Sequence, residues 1–167
     1  GICWLPFFIR LCKITNIPHQ NVMQATHHPP PQWPSGATVV QIATYNEAAS
    51  ISSLIEAIHT AVPQAQLVVI DDNSPDGTAQ IVAKEADKNE RVHLLLRTDR
   101  RGLGTATLEG IQWAQKRGAD VLIHLDGDLS HNPVDIPRLI AALTPPDEMP
   151  FDIAIGSRKI SGGNTVG

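Results

Sequence analysis

Cysteine, basic charge and long apolar runs are all scarce in this sequence, and each scarcity excludes a class of protein. The two cysteines, Cys3 and Cys12, cannot build a disulfide framework or a thiolate metal site, so a reducing compartment is the default expectation. Lysine and arginine number 13 against 17 aspartates and glutamates, which gives no basic footprint for nucleic acid. No segment reaches the roughly 20 apolar residues that a membrane-spanning helix requires. With 42% hydrophobic and 18% charged residues, the 167-residue chain is nevertheless suited to one globular domain.

The first 36 residues differ in composition from the rest. Ile2–Cys12 is apolar, but it is short, is interrupted by Arg10 and lacks the basic start of a signal peptide. Residues 26–36 are rich in proline, which favours an extended linker. We therefore predict that residues 1–36 are a disordered leader and linker, with residues 1–22 contributing no structure. An interfacial membrane anchor is the alternative.

From residue 37 onward, short apolar runs rich in β-branched residues alternate with patterns of helical period. The runs are continuously apolar, as in strands that helices cover on both faces, so the sequence predicts an α/β fold with a mainly parallel sheet. Ligands of such sheets bind beyond the carboxyl ends of the strands. The predicted strands are Val39–Ala43, Leu67–Ile70, Val92–Leu96, Val121–Leu125 and Ile153–Ile155, and the predicted helices are Ala48–Ala61, Thr78–Asn89, Thr105–Arg117 and Val134–Leu143.

Two aspartates one residue apart, Asp126 and Asp128, directly follow the fourth predicted strand. Mg²⁺ and Mn²⁺ prefer oxygen ligands, and they often take one or two carboxylates together with substrate phosphates and water. The pair therefore predicts a divalent metal site. Aspartates are also common in turns and helix caps, and that interpretation remains open for the pair by itself.

The other loops at the same predicted edge also carry polar residues or glycine. Thr44–Glu47 follows the first strand, Asp71 and Asp72 open the loop after the second, and Arg97–Ala106 combines three arginines with two glycines. Gly156–Gly163 follows the fifth strand. Each loop has an ordinary explanation as a turn or a solvated segment. Together they place acids for a metal or ribose, bases for phosphate and glycines for close approach on one rim.

Five motifs in this order carry a family resemblance: TYNE, VVIDDNSPDGT, RGLGTA, DGDLSHNP and GSR. From about residue 39 to residue 163, the chain resembles the polyprenol-phosphate (dolichyl-phosphate) mannosyltransferases, which are inverting family 2 glycosyltransferases with the Rossmann-like GT-A fold. The resemblance implies a GDP-mannose donor, a polyprenyl phosphate acceptor and Mg²⁺ or Mn²⁺ as cofactor. It also implies a cytoplasmic protein in peripheral contact with the cytoplasmic face of a membrane. Some close relatives use UDP-glucose, so a glucosyltransferase is the alternative within the family.

The resemblance also assigns roles to individual residues. On the nucleotide side, Ala43 stands where proline is usual, Tyr45 and Glu47 would lie at the base and ribose, and Asp72 would contact the nucleoside. Arg100 and Arg101 could add charge-assisted hydrogen bonds to the diphosphate.

On the metal side, Asp126 and Asp128 resemble the pair that meets the metal and the diphosphate. Ser130 stands where some relatives place a further metal ligand. Arg158 resembles an arginine that faces the sugar or phosphate, so Asp128 and Arg158 are the predicted catalytic residues. Gly127 departs from the alanine that is usual between the two aspartates, and Asp99-Arg100 from a usual Gly-Lys pair.

The chemistry that the resemblance implies requires no general base. A lipid monophosphate is largely dianionic at neutral pH and can displace the nucleotide directly, inverting the anomeric carbon. This suits a sequence in which no buried His–Asp pair is evident, since His124 reads as an ordinary strand residue and His131 as a loop residue.

A phosphoacceptor receiver domain is the alternative from another functional class, with Asp126 as phosphoacceptor. Against it, the TYNE unit would be surplus. The resemblance to the mannosyltransferases further implies that residues 37–167 form a GT-A domain without its acceptor-binding, carboxyl-terminal part, so we expect this chain alone to transfer little or no sugar.

Overall fold

A computed structural model describes residues 7–10 (backbone only), 36–99, 102–143 and 152–156 of the chain. These residues form one six-stranded sheet with the strand order β4-β3-β2-β5-β1-β6. Neighbouring strands among β2, β3, β4 and β5 run parallel. The strands are β1 (Phe7–Arg10), β2 (Thr38–Thr44), β3 (Gln66–Asp71), β4 (Val92–Leu96), β5 (Val121–Asp126) and β6 (Ile153–Ile155), and the helices are α1 (Ile51–Ala61), α2 (Thr78–Lys88), α3 (Leu103–Lys116) and α4 (Ile136–Leu143).

Helices cover both faces of the sheet, so the predicted fold class is confirmed. Alternate residues of a strand point to opposite faces, and the two hydrophobic cores follow this alternation. Val40, Ile42 and Ile123 pack with buried residues of α1, α2 and α4. Val39, Val68 and Leu122 pack with Ala106 and Ala114 of α3 on the other face. Each parallel strand is therefore apolar along its length because it contributes to both cores.

The strand β1 corrects the prediction for the leader. Phe7–Arg10 runs antiparallel to both β5 and β6, with Phe7 opposite His124 and Ile155. The prediction that residues 1–22 contribute no structure is therefore wrong for these four residues. The physical reason is that the edge of β5 offers unpaired backbone groups, which a short extended segment satisfies. The other residues of the predicted leader and linker, up to residue 35, lie outside the described part of the chain.

The predicted helices are present with shifted ends. α1 begins at Ile51 and not at Ala48, because the preceding residues form a turn in which the Ser50 and Ile51 amides donate to the Glu47 carbonyl. A single 3-10 turn, Pro133–Asp135, precedes α4, and the Asn132 side chain accepts a hydrogen bond from the Val134 amide there. None of the helices in the described ranges has the length and apolar character needed to cross a membrane.

Candidate active site

The carboxyl ends of β2, β3 and β5 meet at one edge of the sheet. In the register of the strands, Thr44 lies opposite Asp71 and Ala43 lies opposite Asp126. The ends of these strands and the loops that follow them therefore bring together seven of the ten predicted site residues: Ala43, Tyr45, Glu47, Asp72, Asp126, Asp128 and Ser130. The other three, Arg100, Arg101 and Arg158, lie outside the described residues.

All three loops contain a residue with left-handed backbone. The φ angles are 63° at Asn46, 57° at Asn73 and 61° at Leu129. Asparagine tolerates this conformation, whereas for leucine it is uncommon and costs energy. Such strain often accompanies functional sites, where the surrounding structure imposes it.

Asp71 holds the first two loops together and is not available to a ligand. Its carboxylate is fully buried and accepts hydrogen bonds from the Thr44 hydroxyl at 2.9 Å, the Ser74 amide at 2.8 Å and the Ser74 hydroxyl at 2.6 Å. The Ser74 hydroxyl also lies 3.0 Å from the amide of Asn46, which donates to it. A turn-forming role, one of the two interpretations of this aspartate, is therefore the one that its contacts support.

Asp72 is held by the loop that follows β4. Its Oδ1 lies 2.9 Å from Nη1 of Arg97, and its Oδ2 accepts a hydrogen bond of 2.7 Å from the Gly102 amide. Arg97 is 3% exposed and also reaches Glu109 at 3.2 Å and Thr105 at 2.5 Å. Because Oδ1 is in this ion pair and Oδ2 accepts this hydrogen bond, a nucleoside contact by Asp72 would have to share or displace one of the two.

Sequence reasoning missed Arg97 as a site-forming residue, although a register argument could have found it. Asp71 pairs with Leu96 across β3 and β4, so the next residues along the two strands, Asp72 and Arg97, lie side by side. Two opposite charges that follow paired strand ends are a signal for an ion pair.

Glu47 lies against the loop between the two predicted metal ligands. The Ser50 hydroxyl is 3.0 Å from its Oε2 and 2.8 Å from the Gly127 carbonyl oxygen, to which it can donate. A Cβ at position 127 would lie only 3.0 Å from Cγ of Glu47 and from Cγ2 of Thr44. The backbone at this position therefore leaves little room for the alanine of the family pattern between Asp126 and Asp128.

Burial and neighbouring negative charges raise the pKa values of two acidic groups at this edge, Glu47 and Asp126. Partial burial raises the pKa of Glu47, the Ser50 hydrogen bond opposes the shift, and the charges of Asp128, Asp76 and Asp126 raise it further. Burial raises the pKa of Asp126, against the effect of His131 and together with the charge of Asp128. A bound cation would relieve this repulsion, because it favours the ionised form of each carboxylate.

Asp128 is the readily ionised member of the pair. Its partial burial opposes ionisation, but hydrogen bonds from the Ser130 side chain and backbone outweigh this, and the pKa lies below its usual value. The Ser130 amide donates to Asp128 Oδ1 at 2.9 Å. In this arrangement Ser130 contacts Asp128, and its predicted role as a metal ligand stays a prediction.

The donor set suits a magnesium-like ion that shares its coordination with a substrate. Within the described ranges, no group of three or more histidine, cysteine, aspartate or glutamate side chains is placed to hold a metal by itself. Two carboxylates that leave the remaining positions to phosphate oxygens and water are the typical protein contribution to an Mg²⁺ site. Asp126 and Asp128 fit that pattern.

Two buried histidines flank the partly exposed carboxylate of Asp126, and sequence reasoning gave neither of them a place at the site. His124 Nε2 lies 3.9 Å from Oδ1 of Asp126, and His131 Nε2 lies 3.9 Å from Oδ2. Burial, with a smaller effect from His131, lowers the pKa of His124 to about 4. His124 precedes Asp126 by two residues on the same strand and so shares its face, which was a usable signal. The position of His131 depends on the loop conformation, and no sequence pattern specified it.

Comparisons with known proteins agree with this fold and with the motifs. The family whose sequence model matches residues 39–167 is described as glycosyl transferase family 2. A polyprenol monophosphomannose synthase of Mycolicibacterium smegmatis is 38% identical over 89% of this chain and 55% of its own length. An undecaprenyl-phosphate mannosyltransferase of Micrococcus luteus is 41% identical over 75% of this chain and 49% of its own length. The chain therefore spans about half the length of these relatives.

Solved structures give the same picture of the fold. A mannosyltransferase from Pyrobaculum calidifontis in complex with GDP-Man and Mn²⁺ superposes with a TM-score of 0.54 at 25% identity, over 71% of this chain and 35% of that one. A glucosyl-3-phosphoglycerate synthase from Mycobacterium tuberculosis in complex with UDP gives a TM-score of 0.53 at 24% identity, over 73% of this chain and 48% of that one. The second likeness concerns the fold alone.

Proposed function

Because this chain belongs to glycosyl transferase family 2, we propose that it carries the nucleotide-sugar site of an enzyme that transfers mannose from GDP-mannose to a polyprenyl phosphate. The relatives at 38% and 41% identity, named for transfer of mannose to such lipids, support this substrate pair. The alternative of a phosphoacceptor receiver domain is wrong, since the chain belongs to a different family.

One observation carries the proposal: Asp126, the last residue of β5, and Asp128, in the loop after it, lie at the same sheet edge as Glu47, whose pKa is raised by burial and further by their charges. We propose that Asp126 and Asp128 hold Mn²⁺ or Mg²⁺ there, together with oxygens of the donor diphosphate. A bound divalent cation offsets the negative charge that develops on a departing diphosphate. Mn²⁺ in the Pyrobaculum calidifontis complex supports a divalent ion of this kind.

The remaining roles concern the nucleotide. Tyr45, which is 47% exposed, and Glu47 would contact the base and ribose, together with Ala43, the second-last residue of β2. Asp72 would act at the nucleoside directly or by fixing Gly102 and the start of α3 through its hydrogen bond. Arg100, Arg101 and Arg158 are proposed to meet the phosphates, and Asp128 and Arg158 to be the catalytic pair.

No residue of the chain needs to remove a proton from the acceptor. A phosphate monoester has a second pKa of about 6 and is mostly dianionic at neutral pH. Its oxygen would form the bond to the anomeric carbon while the bond to the nucleoside diphosphate breaks, which inverts the configuration. Asp126 and Asp128 act on the leaving group and not on the nucleophile.

The proposal extends to the organisation of the chain. Residues 37–167 would be the GT-A unit, preceded by the leader and linker of residues 1–36, from which β1 joins the sheet. An enzyme with a lipid acceptor would act in peripheral contact with a membrane, and a donor made in the cytoplasm would place it at the cytoplasmic face.

Titration calorimetry with the purified chain tests the proposal. We expect GDP-mannose to bind in the presence of Mn²⁺ and to lose most of its affinity when Mn²⁺ is removed or when Asp128 is changed to asparagine. Asp87→Asn, at an exposed acid of α2, is the matched control and should bind like the wild type. Tighter binding of UDP-glucose would favour the glucosyltransferase alternative. Metal-independent binding that Asp128→Asn leaves unchanged would contradict the proposal.

A further inference from the structure

The carboxylate of Asp126 lies between two buried imidazoles, and the mechanism above assigns neither of them a role. His124 is 1% exposed and approaches from the strand, and His131 is 5% exposed and approaches from the loop. Each presents Nε2 to a different oxygen of Asp126 at 3.9 Å. A carboxylate with one ring on each side has a restricted range of orientations.

The hydrogen bonding of His131 determines where its proton is. The backbone amide of Asp126 lies 3.2 Å from Nδ1 of His131 and can only donate, so Nδ1 is the acceptor. In a neutral imidazole the other nitrogen, Nε2, then carries the hydrogen. His131 thus accepts from the backbone of Asp126 and turns its N–H toward the carboxylate of the same residue.

A buried amide supports the ring on the other side. Nε2 of Gln41 lies 3.2 Å from Nδ1 of His124, and Gln41 is fully buried in the middle of β2. Gly110 of α3 leaves the space for it, because a Cβ at position 110 would overlap the Gln41 side-chain oxygen. With Nδ1 accepting from the amide, His124 also turns a protonated Nε2 toward Asp126.

We propose that His131 is a positioning residue that fixes the direction of the Asp126 carboxylate toward the shared cation, with His124 as its counterpart on the strand. The inference rests on the proposed metal site and adds residues that no sequence pattern assigned to it. Ligands of metal ions are commonly oriented by polar side chains that surround them, and loss of such a neighbour typically costs about 10–100-fold in metal affinity.

One substitution separates positioning from simple support of the loop. His131→Asn keeps an acceptor near the place of Nδ1 for the Asp126 amide but removes the Nε2–H group. A role confined to loop support predicts wild-type Mn²⁺ affinity for His131→Asn. Positioning predicts that His131→Asn unfolds in urea like the wild type while its Mn²⁺ affinity, measured by electron paramagnetic resonance with GDP present, falls at least about 10-fold.

The control is His59→Asn, on α1 and beside Asn89, which should leave Mn²⁺ affinity unchanged. Nitrogen-15 NMR of the metal-free wild type provides a readout that does not depend on any variant, and it should show the Nε2–H tautomer for His131. The Nδ1–H tautomer, or unchanged Mn²⁺ affinity of His131→Asn beside a wild type that binds, would overturn the inference alone. A wild type that binds no Mn²⁺ would instead overturn the proposed metal site, and the inference with it.

Discussion

The hydroxyl of Ser50 lies 2.8 Å from the carbonyl oxygen of Gly127, and this contact joins the start of α1 to the loop between Asp126 and Asp128. The two residues are 77 positions apart in the sequence. Because position 127 has no side chain, the backbone of this loop lies directly against Thr44 and Glu47.

Gly127→Ala should destabilise the protein. The new Cβ would lie 3.0 Å from Cγ of Glu47 and from Cγ2 of Thr44, and such overpacking typically costs about 1–3 kcal/mol. The entropic gain from replacing glycine is smaller, about 0.4–1 kcal/mol. Urea unfolding should therefore show a net decrease in the free energy of unfolding. Gly104→Ala is the matched control: nothing lies within 4 Å of its Cβ and it is inside α3, so it should stabilise the chain. A stabilised Gly127→Ala would show that the loop has room to move.

Arg97→Met should be strongly destabilising, because it leaves the carboxylate of Asp72 buried without its cation. Breaking one partner of a buried ion pair typically costs about 3–5 kcal/mol. The Gly102 amide would still hold one oxygen of Asp72, so we expect the lower end of that range. In the double variant Arg97→Met/Asp72→Asn, the free energy of unfolding should fall by less than the sum of the losses in the two single variants, since the two residues share the interaction.

Arg138→Met is the control for that measurement, because Arg138 is exposed on α4. Its free energy of unfolding should stay within about 0.5 kcal/mol of the wild type. If Arg97→Met behaves like Arg138→Met, the ion pair contributes nothing to the fold and the loop after β4 is held by other contacts.

Stability should fall in mild acid because of His124. Burial lowers the pKa of this residue from 6.5 to about 4 in the folded chain. Between these two values the unfolded chain binds a proton that the folded chain does not, so the free energy of unfolding decreases as the pH falls. From about pH 7.5 to about pH 5, the loss from this one group is about 2 kcal/mol.

The measurement compares wild type and His124→Asn by urea unfolding at both pH values. His59 and His93, whose pKa values burial also lowers, contribute to the total slope in both proteins. The free energy of unfolding of the variant should therefore still fall in acid, but by less than that of the wild type. Equal changes between the two pH values in both proteins would mean that protonation of His124 does not oppose folding.

A chain that begins at Met23 should be less stable than the full chain, since it lacks the strand that pairs with both β5 and β6. Loss of even one or two net hydrogen bonds amounts to about 1 kcal/mol or more. Thermal and urea unfolding measure the effect. Removal of residues 1–6 alone keeps β1 and is the control. Equal stability of all three chains would restore the original expectation for the leader.

The parallel part of the fold could be predicted from the sequence because its strands are continuously apolar and regularly spaced. The predicted strand Val92–Leu96 has the same ends in the structure, and Val121–Leu125 gains one residue. β1 could not be predicted in this way. Its four residues lie inside a longer apolar segment, and their pairing with β5 depends on contacts more than 110 residues away in sequence.

The candidate site shows the same division between local and non-local information. Asp126 and Asp128 could be identified because they directly follow a strand. Arg97 and Ser50 could not be assigned in the same way, because their partners Asp72 and Gly127 are brought to them only by the assembled sheet. Local patterns thus identified the candidate site residues, and they missed most of the residues that hold these candidates in place.

The left-handed residues Asn46, Asn73 and Leu129 have a consequence for how variation at this edge is interpreted. In a library selected only for folding, β-branched side chains should be depleted at all three positions, whether or not the position touches a substrate. Restricted variability there would be a signature of backbone geometry. At Leu129 the requirement of the backbone and that of the side chain can be told apart. Asparagine or glycine would suit the left-handed backbone better, so a preference for leucine would reveal selection acting on the side chain itself.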